Sequence, residues 1–308
     1  MGDIHDALDK AIQNAELEKT KLPLKNVFED QVIAEEGIHH PIDPDQLYPK
    51  DTLDKAIENA ELEKIKSPSR VVSQDQVSAD QIIRHPIDAG IMRQKRVVTL
   101  HNYNVESEAF RMLRTKILKQ LRDNDWNSFA ITAPTQGAGK TTVAVNLAIA
   151  MAMDVNQSVL LVDLDLKHPK VHWYFGLENE VGLRDYFLSD KPLSDMLINP
   201  GIDRLTILPG RGQAVGSSEI LSGPRMKTLV NELNNRNQSR IIIFDLPPVL
   251  ATDDVLSTID CYDAILLVVE EGKNRPDEVK KTLKLLSGKN LLGTVLNKSQ
   301  NPPEHQSY

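Results

Sequence analysis

The sequence predicts an α/β domain with a mostly parallel sheet and helices on both faces, preceded by a largely disordered N-terminal region with two short helical repeats. Three observations support this fold class. After about residue 93, short apolar runs alternate with helical segments. Residues 1–92 are acidic and poor in aromatic side chains, and one stretch within them occurs twice. Of the 308 residues, 40% are hydrophobic and 26% are charged, which excludes a wholly disordered chain.

The N-terminal region differs from the rest of the chain in charge. Residues 1–92 hold 19 Asp and Glu against 10 Lys and Arg, with Phe28 and Tyr48 as the only aromatic residues. Such a segment cannot bury enough apolar surface to offset the entropy lost on ordering, so we predict that it is mostly disordered. The whole chain carries a formal charge of -8, so we expect no nucleic-acid partner.

A duplication lies within this region. Asp6–Pro23 and Asp51–Pro68 are identical at 14 of 18 positions, at an offset of 45 residues. Apolar residues recur in both copies with helical spacing, and a proline ends each predicted helix. A helix of about 15 residues is marginal alone in water. The copies are therefore either docking helices that fold on a partner or a duplicated spacer.

The remaining chain is predicted to form a domain at 93–298, followed by a flexible tail at 299–308. Apolar runs predict six strands: Ser128–Thr132, Val159–Asp163, Leu205–Leu208, Ile241–Asp245, Ala264–Val269 and Leu291–Leu296. Apolar periodicity predicts four helices: Val105–Leu121, Thr141–Ala152, Ile220–Leu233 and Asp277–Leu286. Ligands of such sheets bind at the carboxyl ends of the strands, so we expect the functional site there.

A phosphate-binding loop follows the first of these strands. Its glycines let backbone N–H groups approach phosphates, and the next helix begins at its end. In such a P-loop the lysine reaches the β- and γ-phosphates and the first threonine holds Mg²⁺, so the motif predicts ATP and Mg²⁺ as cofactors. The predicted nucleotide-binding residues are Gly137, Ala138, Gly139, Lys140, Thr141 and Thr142.

Carboxylates end two other predicted strands. Asp163 and Asp165 end one strand, and Asp245 ends another. Asp163 and Asp245, with Thr141, are predicted to hold the metal, while a second carboxylate orients or deprotonates a nucleophile. With Lys140, these three aspartates are the predicted catalytic residues. Each aspartate alone could instead cap a strand-to-loop boundary.

The order and spacing of motifs over about residues 100–298 resemble the bacterial tyrosine kinases of capsule and exopolysaccharide biosynthesis, P-loop proteins related to chromosome-partitioning and septum-site ATPases. The matching pieces are the P-loop and the runs beginning at Glu108 (E-x-x-R-x-x-R), Asp163 (D-x-D), His168 (H-P), Ser218 (S-E-I-L), Asp245 (D-L-P-P) and Gly293 (G-T-V-L-N). The resemblance implies ATP-dependent autophosphorylation on tyrosine, with Asp163 or Asp165 accepting the hydroxyl proton. It adds Asn297 to the nucleotide site.

The resemblance also implies partners. Glu108, Arg111 and Arg114 lie three residues apart on a predicted helix, where they could form a solvated face with an internal ion pair. In the family this motif builds a ring of subunits, which implies a homo-oligomer. The family further implies a separate membrane polysaccharide co-polymerase that activates the kinase. We therefore expect a cytoplasmic protein that reaches the inner face of the plasma membrane through that partner.

Two departures from the family pattern qualify this interpretation, and a third position bears on the alternative. The tail holds one tyrosine, Tyr308, as the candidate phosphate acceptor, whereas family members end in a cluster of tyrosines. Lys167 stands where the family usually has arginine. A lysine keeps the positive charge but lacks the forked set of donors of a guanidinium. Thr135 stands where partitioning relatives carry an extra lysine, which argues against that type. The alternative is a partitioning-type or scaffold P-loop ATPase without tyrosine phosphotransfer.

Overall fold

The structure is a computed structural model that describes residues 83–86, 88–100, 105–154, 157–178, 181–189, 191–212, 216–236 and 240–299. Both N-terminal repeats and Tyr308 lie outside the described residues. The strands are β1 (Ile83–Arg84), β2 (Ser128–Thr132), β3 (Ser158–Asp163), β4 (Ile198–Asn199), β5 (Leu205–Leu208), β6 (Arg240–Asp245), β7 (Ala264–Glu270) and β8 (Leu291–Asn297). The helices are α1 (Ala89–Gln94), α2 (Val105–Asp123), α3 (Lys140–Ala152), α4 (Val171–Tyr174), α5 (Leu183–Ser189), α6 (Ser217–Ser222), α7 (Pro224–Arg236), α8 (Asp254–Thr258) and α9 (Pro276–Leu285).

The strands form one sheet in the order β1-β4-β5-β3-β6-β2-β7-β8. All neighbouring pairs are parallel except β4 and β5. The predicted α/β class is confirmed, and each of the six predicted strands is present to within one residue at either end. In the register of β3 with β6, Asp163 lies opposite Asp245, so the two predicted acidic strand ends are neighbours.

Hydrophobic cores lie on both faces of the sheet because successive strand residues point to opposite sides. In β2, Phe129 and Ile131 pack into the core beneath α2 and α3, whereas Ala130 packs into the core on the other face. The helix α3 is buried from Val143 to Ala152. Apart from Asn146, this buried stretch is apolar all round, as expected of a helix enclosed between the sheet and other elements. This burial holds the phosphate-binding end of α3 in a fixed place.

Some elements differ from the sequence prediction. The helix predicted over Ile220–Leu233 is two helices, α6 and α7, which are separated at Gly223. The fold also begins before residue 93, because β1 pairs with β4 and Met92 of α1 is 1% exposed in the core. Two-residue strands and a single buried methionine leave no periodic signal, so the sequence pattern did not reveal them.

The described helices include none that combines the length and the apolar character needed to cross a membrane.

Candidate active site

The phosphate loop adopts a backbone shape that requires its glycines. Gly137 and Gly139 have φ of 87° and 92°, a region that side-chain-bearing residues rarely adopt. A Cβ on Gly139 would overlap the Asn297 amide nitrogen, and one on Gly137 would lie 2.9 Å from the Lys273 ammonium. Larger residues at either position would therefore displace neighbours as well as strain the backbone.

Lys140 lies at the centre of an acidic cluster. Its Nζ donates to Asp165 Oδ2 at 2.8 Å and lies 3.6 Å from Asp245 Oδ1. Burial alone would lower the pKa of Lys140, but the charges of Asp245 and Asp165 outweigh it and raise that pKa. The ammonium is thus held charged at the start of α3, where a phosphate group is expected.

Thr141 and Asp245 meet at the same point. The Thr141 hydroxyl donates to Asp245 Oδ2 at 2.7 Å. Asp245 is fully buried, and this burial, opposed by the charge of Lys140, raises its pKa to about 6. A carboxyl in this position is destabilised as an anion and favours a cation beside it.

Asp163 is held by the chain that follows β3. Its Oδ2 accepts hydrogen bonds from the backbone N–H groups of Lys170 and Val171, both at 2.9 Å. Its Oδ1 is buried and has no hydrogen-bond partner among the described residues. Burial, followed by the charge of Asp245, raises the pKa of Asp163 well above its usual value. One oxygen of this carboxylate is therefore available to a ligand.

These oxygens fit a magnesium ion that is shared with a nucleotide. Mg²⁺ is usually held by one or two carboxylates, with substrate phosphates and water completing its shell. Asp163 Oδ1, Asp245 and the Thr141 hydroxyl supply such a set. Within the described ranges, no group of three or more Asp, Glu, His or Cys side chains forms a metal site by itself. The donor set thus suits a metal that arrives with phosphates.

Residues at the ends of β7 and β8 hold the phosphate loop in place; we call this set of contacts the clamp. The Asn297 amide donates to the Ala138 carbonyl at 2.8 Å, so the residue that the resemblance added does reach the loop. Lys298 donates to the Gly137 carbonyl at 2.8 Å and pairs with Glu270 at 3.0 Å. Sequence reasoning missed Lys298 and Glu270. The position of Lys298, directly after Asn297, was the available signal.

Thr135 is part of the same clamp. Its hydroxyl accepts a hydrogen bond at 2.7 Å from Asn274, which is 4% exposed and follows β7. The neighbouring Lys273 pairs with Glu270 at 3.3 Å. The position where partitioning relatives carry a lysine is therefore occupied by a neutral contact within one chain.

A second polar network joins three other segments. Asp254, at the start of α8, is fully buried and accepts hydrogen bonds from Ser217 at 2.8 Å, from Ser218 and from Thr252 at 2.6 Å. Lys167 donates to Thr252 at 2.7 Å. Burial would raise the pKa of Asp254, but the hydrogen bonds from Ser218, Thr252 and Ser217 lower it. The S-E-I-L run therefore anchors the chain after β3 rather than entering the nucleotide site.

A cavity of about 340 Å³ opens beside the phosphate loop. Among the described residues that line it, Asp165 is the one carboxylate. Tyr174 lies on the wall too, and its hydroxyl is 2.6 Å from that of Thr142. Trp173, the residue before Tyr174, lines the cavity as well. The lining residues are Gln94, Lys95, Arg96, Gln136, Gly137, Gly139, Lys140, Thr141, Thr142, Asp165, His168, Lys170, Trp173, Tyr174 and Lys298.

The predicted oligomerisation residues lie on α2, away from this cavity. Arg111 pairs with Glu108 at 2.9 Å, one helical turn earlier. Arg114 donates to the carbonyl of Ala150 in α3 at 3.0 Å. Arg114 therefore joins two helices within the chain.

A P-loop beside three carboxylates at the ends of neighbouring parallel strands defines a P-loop nucleotide-binding protein. A family model described as an AAA domain matches residues 128–273. The chain is 31% identical over 222 residues to the tyrosine-protein kinase YwqD of Bacillus subtilis, an alignment that covers 71% of this chain and 92% of that protein.

Solved structures give the same result. The kinase domain of the Escherichia coli tyrosine kinase ETK matches with a TM-score of 0.62 and 28% identity, over 73% of this chain and 91% of that one. The chimerical protein CapA2B2 matches with a TM-score of 0.62 and 29% identity, over 71% of this chain and 94% of that one. The chain belongs to the family of bacterial tyrosine kinases and is a protein-tyrosine kinase, which confirms the predicted resemblance.

Proposed function

We propose that this kinase uses ATP and Mg²⁺ to phosphorylate tyrosines on copies of itself, and that it thereby regulates polymerisation or export of a capsular or extracellular polysaccharide. The observation that carries the proposal is the position of Asp165, on the cavity wall and within 2.8 Å of the Lys140 ammonium. A carboxylate beside the phosphate-binding lysine can meet an acceptor hydroxyl at the phosphate that Lys140 binds.

The roles of the phosphate-binding residues follow from their charges. Lys140 and the N–H groups of the loop bind the nucleotide phosphates, and the glycines allow their close approach. Thr141, Asp163 and Asp245 would hold Mg²⁺, which supplies a positive charge that stabilises the transferring phosphate. Asn297 and Lys298 keep the loop in its binding shape through the carbonyls of Ala138 and Gly137.

Asp165 is the better candidate for the base that accepts the tyrosine proton. It lines the cavity, whereas Asp163 is fully buried and does not. The Lys140 ammonium donates to one oxygen of Asp165, and the backbone N–H of His168 donates to the other at 3.0 Å. These two hydrogen bonds fix the orientation of the carboxylate. Asp163 then keeps the metal-binding role. The cavity position of Asp165 supports this division of roles.

A phosphotyrosine immunoblot of purified protein with ATP and Mg²⁺ tests this proposal. Wild type should become labelled, and Asp165→Asn should lose at least about 100-fold in rate, which is a typical contribution of a general base. Calorimetry should show that the variant still binds ADP with Mg²⁺. Asp203→Asn, at an exposed aspartate, is the matched control. Equal rates for Asp165→Asn and wild type would contradict the role of Asp165.

Tyr308 is the proposed acceptor, and Tyr308→Phe tests it. Loss of label in this variant would identify the site, while unchanged label would place the acceptor elsewhere in the chain. Wild type that binds ATP but gains no label would favour the alternative, an ATP-gated scaffold.

We further propose a ring of subunits, and an activating membrane co-polymerase that holds this cytoplasmic protein at the plasma membrane. Both proposals rest on the family resemblance.

A further inference from the structure

The cavity wall carries cations beyond those that the phosphate loop needs. Lys140 is compensated by Asp165 and Asp245, and Lys298 is compensated by Glu270. Three other cations, Lys95, Arg96 and Lys170, line the same cavity. We call these three the basic rim. In the part of the chain that the structure describes, no carboxylate forms an ion pair with any of them.

Hydrogen bonds fix the Lys95 side chain and the backbone of Arg96 and Lys170 in the basic rim. Lys95 donates to the Trp173 carbonyl at 2.6 Å, and its ammonium lies 4.8 Å from the centre of the Trp173 ring. The Arg96 carbonyl accepts from the buried Asn146 amide at 3.0 Å. The Lys170 N–H is bound to Asp163 at 2.9 Å. The backbone of Arg96 and Lys170 is therefore bound to nucleotide-binding elements, and the Lys95 side chain is bound to α4.

The rim lies where an acceptor peptide has to pass. An acceptor hydroxyl must approach Asp165, and the cavity that Asp165 lines is also lined by the rim. The Trp173 side chain, which is 49% exposed, gives the passing peptide an aromatic surface. Three uncompensated positive charges beside that path attract negative charge on the peptide.

We propose that the basic rim is an acceptor-specificity subsite that selects tyrosines flanked by acidic residues. This inference rests on the proposed phosphotransfer, since Asp165 defines the path of the peptide. The occupant is an acidic tyrosine-containing segment of a protein substrate other than the Tyr308 tail, whose residues 299–308 include one acidic side chain, Glu304. The rim binds its flanking carboxylates, while the tyrosine ring lies toward Asp165.

Peptide binding to the full-length protein, in the presence of ADP and Mg²⁺, tests the proposal. The probes are three fluorescent heptapeptides with a central tyrosine that is flanked by glutamates, serines or lysines, and binding is followed by anisotropy. The acidic peptide should bind tightest, and its advantage should shrink as salt rises from 0.05 to 0.5 M, because screening weakens exposed charge pairs. Equal affinity for the acidic and serine peptides would overturn the proposal.

Charge reversal sharpens the test. The double variant Arg96→Glu/Lys170→Glu should lose about tenfold in affinity for the acidic peptide and should gain affinity for the lysine peptide. Lys280→Glu, at an exposed lysine of α9 outside the cavity, is the matched control and should bind like wild type. Unchanged peptide preference in the double variant would also overturn the proposal. If the double variant does not fold, the peptide and salt series on wild type decides.

Transfer of phosphate to the bound peptides is measured separately. Selective binding of the acidic peptide without any phosphorylation would contradict the proposed phosphotransfer but would support the rim. Phosphorylation of all three peptides with equal kcat/KM would support phosphotransfer and overturn the rim. The two failures are therefore distinguishable.

Discussion

At the scale of single residues, the buried carboxylates of the site make the folded protein less stable than it could be. Asp245 is fully buried, and its pKa is raised to about 6. Protonation of a group with a raised folded-state pKa contributes stability at low pH, and that contribution is lost as pH rises through the folded-state pKa. The window for Asp245 therefore runs from about pH 4, near the usual aspartate value, to about pH 6.

We predict that Asp245→Asn removes this loss of stability. The free energy of unfolding of the variant, minus that of wild type, should increase by on the order of 2 kcal/mol as pH rises from about 4 to about 7. This size follows because one pKa unit corresponds to about 1.4 kcal/mol. Urea denaturation in the absence of nucleotide measures it. The same variant should lose phosphotransfer, because Asp245 is a proposed metal ligand.

Asp203→Asn is the control for this prediction, because Asp203 lies on the surface in an ion pair with Arg84. Its free energy of unfolding should run parallel to that of wild type across the same pH range. A difference between Asp245→Asn and wild type that does not change with pH would contradict the electrostatic origin of the effect.

At the scale of elements, hydrogen bonds of the Asn146 side chain join the segment 88–100 to α3. Asn146 is fully buried, and its Oδ1 accepts from the Val98 N–H at 2.8 Å and the Thr99 N–H at 3.3 Å. Its amide donates to the Arg96 carbonyl at 3.0 Å and to the Thr142 carbonyl at 2.9 Å. The segment that carries two cations of the basic rim thus depends on a residue of the P-loop helix.

Asn146→Ala should therefore destabilise the protein by about 2–4 kcal/mol, because buried backbone groups lose their hydrogen bonds. Hydrogen exchange should show the largest loss of protection at Val98 and Thr99. Asn290→Ala is the control, since Asn290 is exposed and its amide donates to the Asp263 carbonyl; its cost should stay below about 1 kcal/mol. Equal costs for both variants would show that Asn146 does not fasten the segment.

Sequence reasoning succeeded where function and fold share one local pattern. Apolar strands that end in Asp163 and Asp245, and a glycine-rich loop before an apolar helix, are visible in short windows. It failed where residues meet only through tertiary structure. Lys298 is 161 residues from Gly137, and neither residue's neighbourhood indicates the contact. Arg96 likewise lies in no periodic pattern, so its place on the cavity wall required the fold.

At the scale of the whole molecule, Arg111 and Arg114 have different roles in the chain. Arg111 lies on α2 and pairs with Glu108, whereas Arg114 joins α2 to α3 through the Ala150 carbonyl. In the proposed ring of subunits, we expect Arg111 to lie at the contact with a neighbouring copy, and Arg114 positions the helix that carries it. We therefore expect a double change at these arginines to combine an assembly defect with a stability defect, and single changes to separate them.

Arg111→Ala should convert the proposed ring to monomers, as measured by light scattering, and should slow phosphorylation between subunits while the free energy of unfolding changes by less than about 0.5 kcal/mol. Arg114→Ala should instead lower the free energy of unfolding by about 1 kcal/mol through the lost hydrogen bond. Lys119→Ala, at an exposed lysine of the same helix, is the control and should keep wild-type mass. An unchanged mass for Arg111→Ala would show that α2 does not assemble the subunits through this residue. Phosphorylation of a catalytically inactive copy by an active one then tests whether subunits still act on each other.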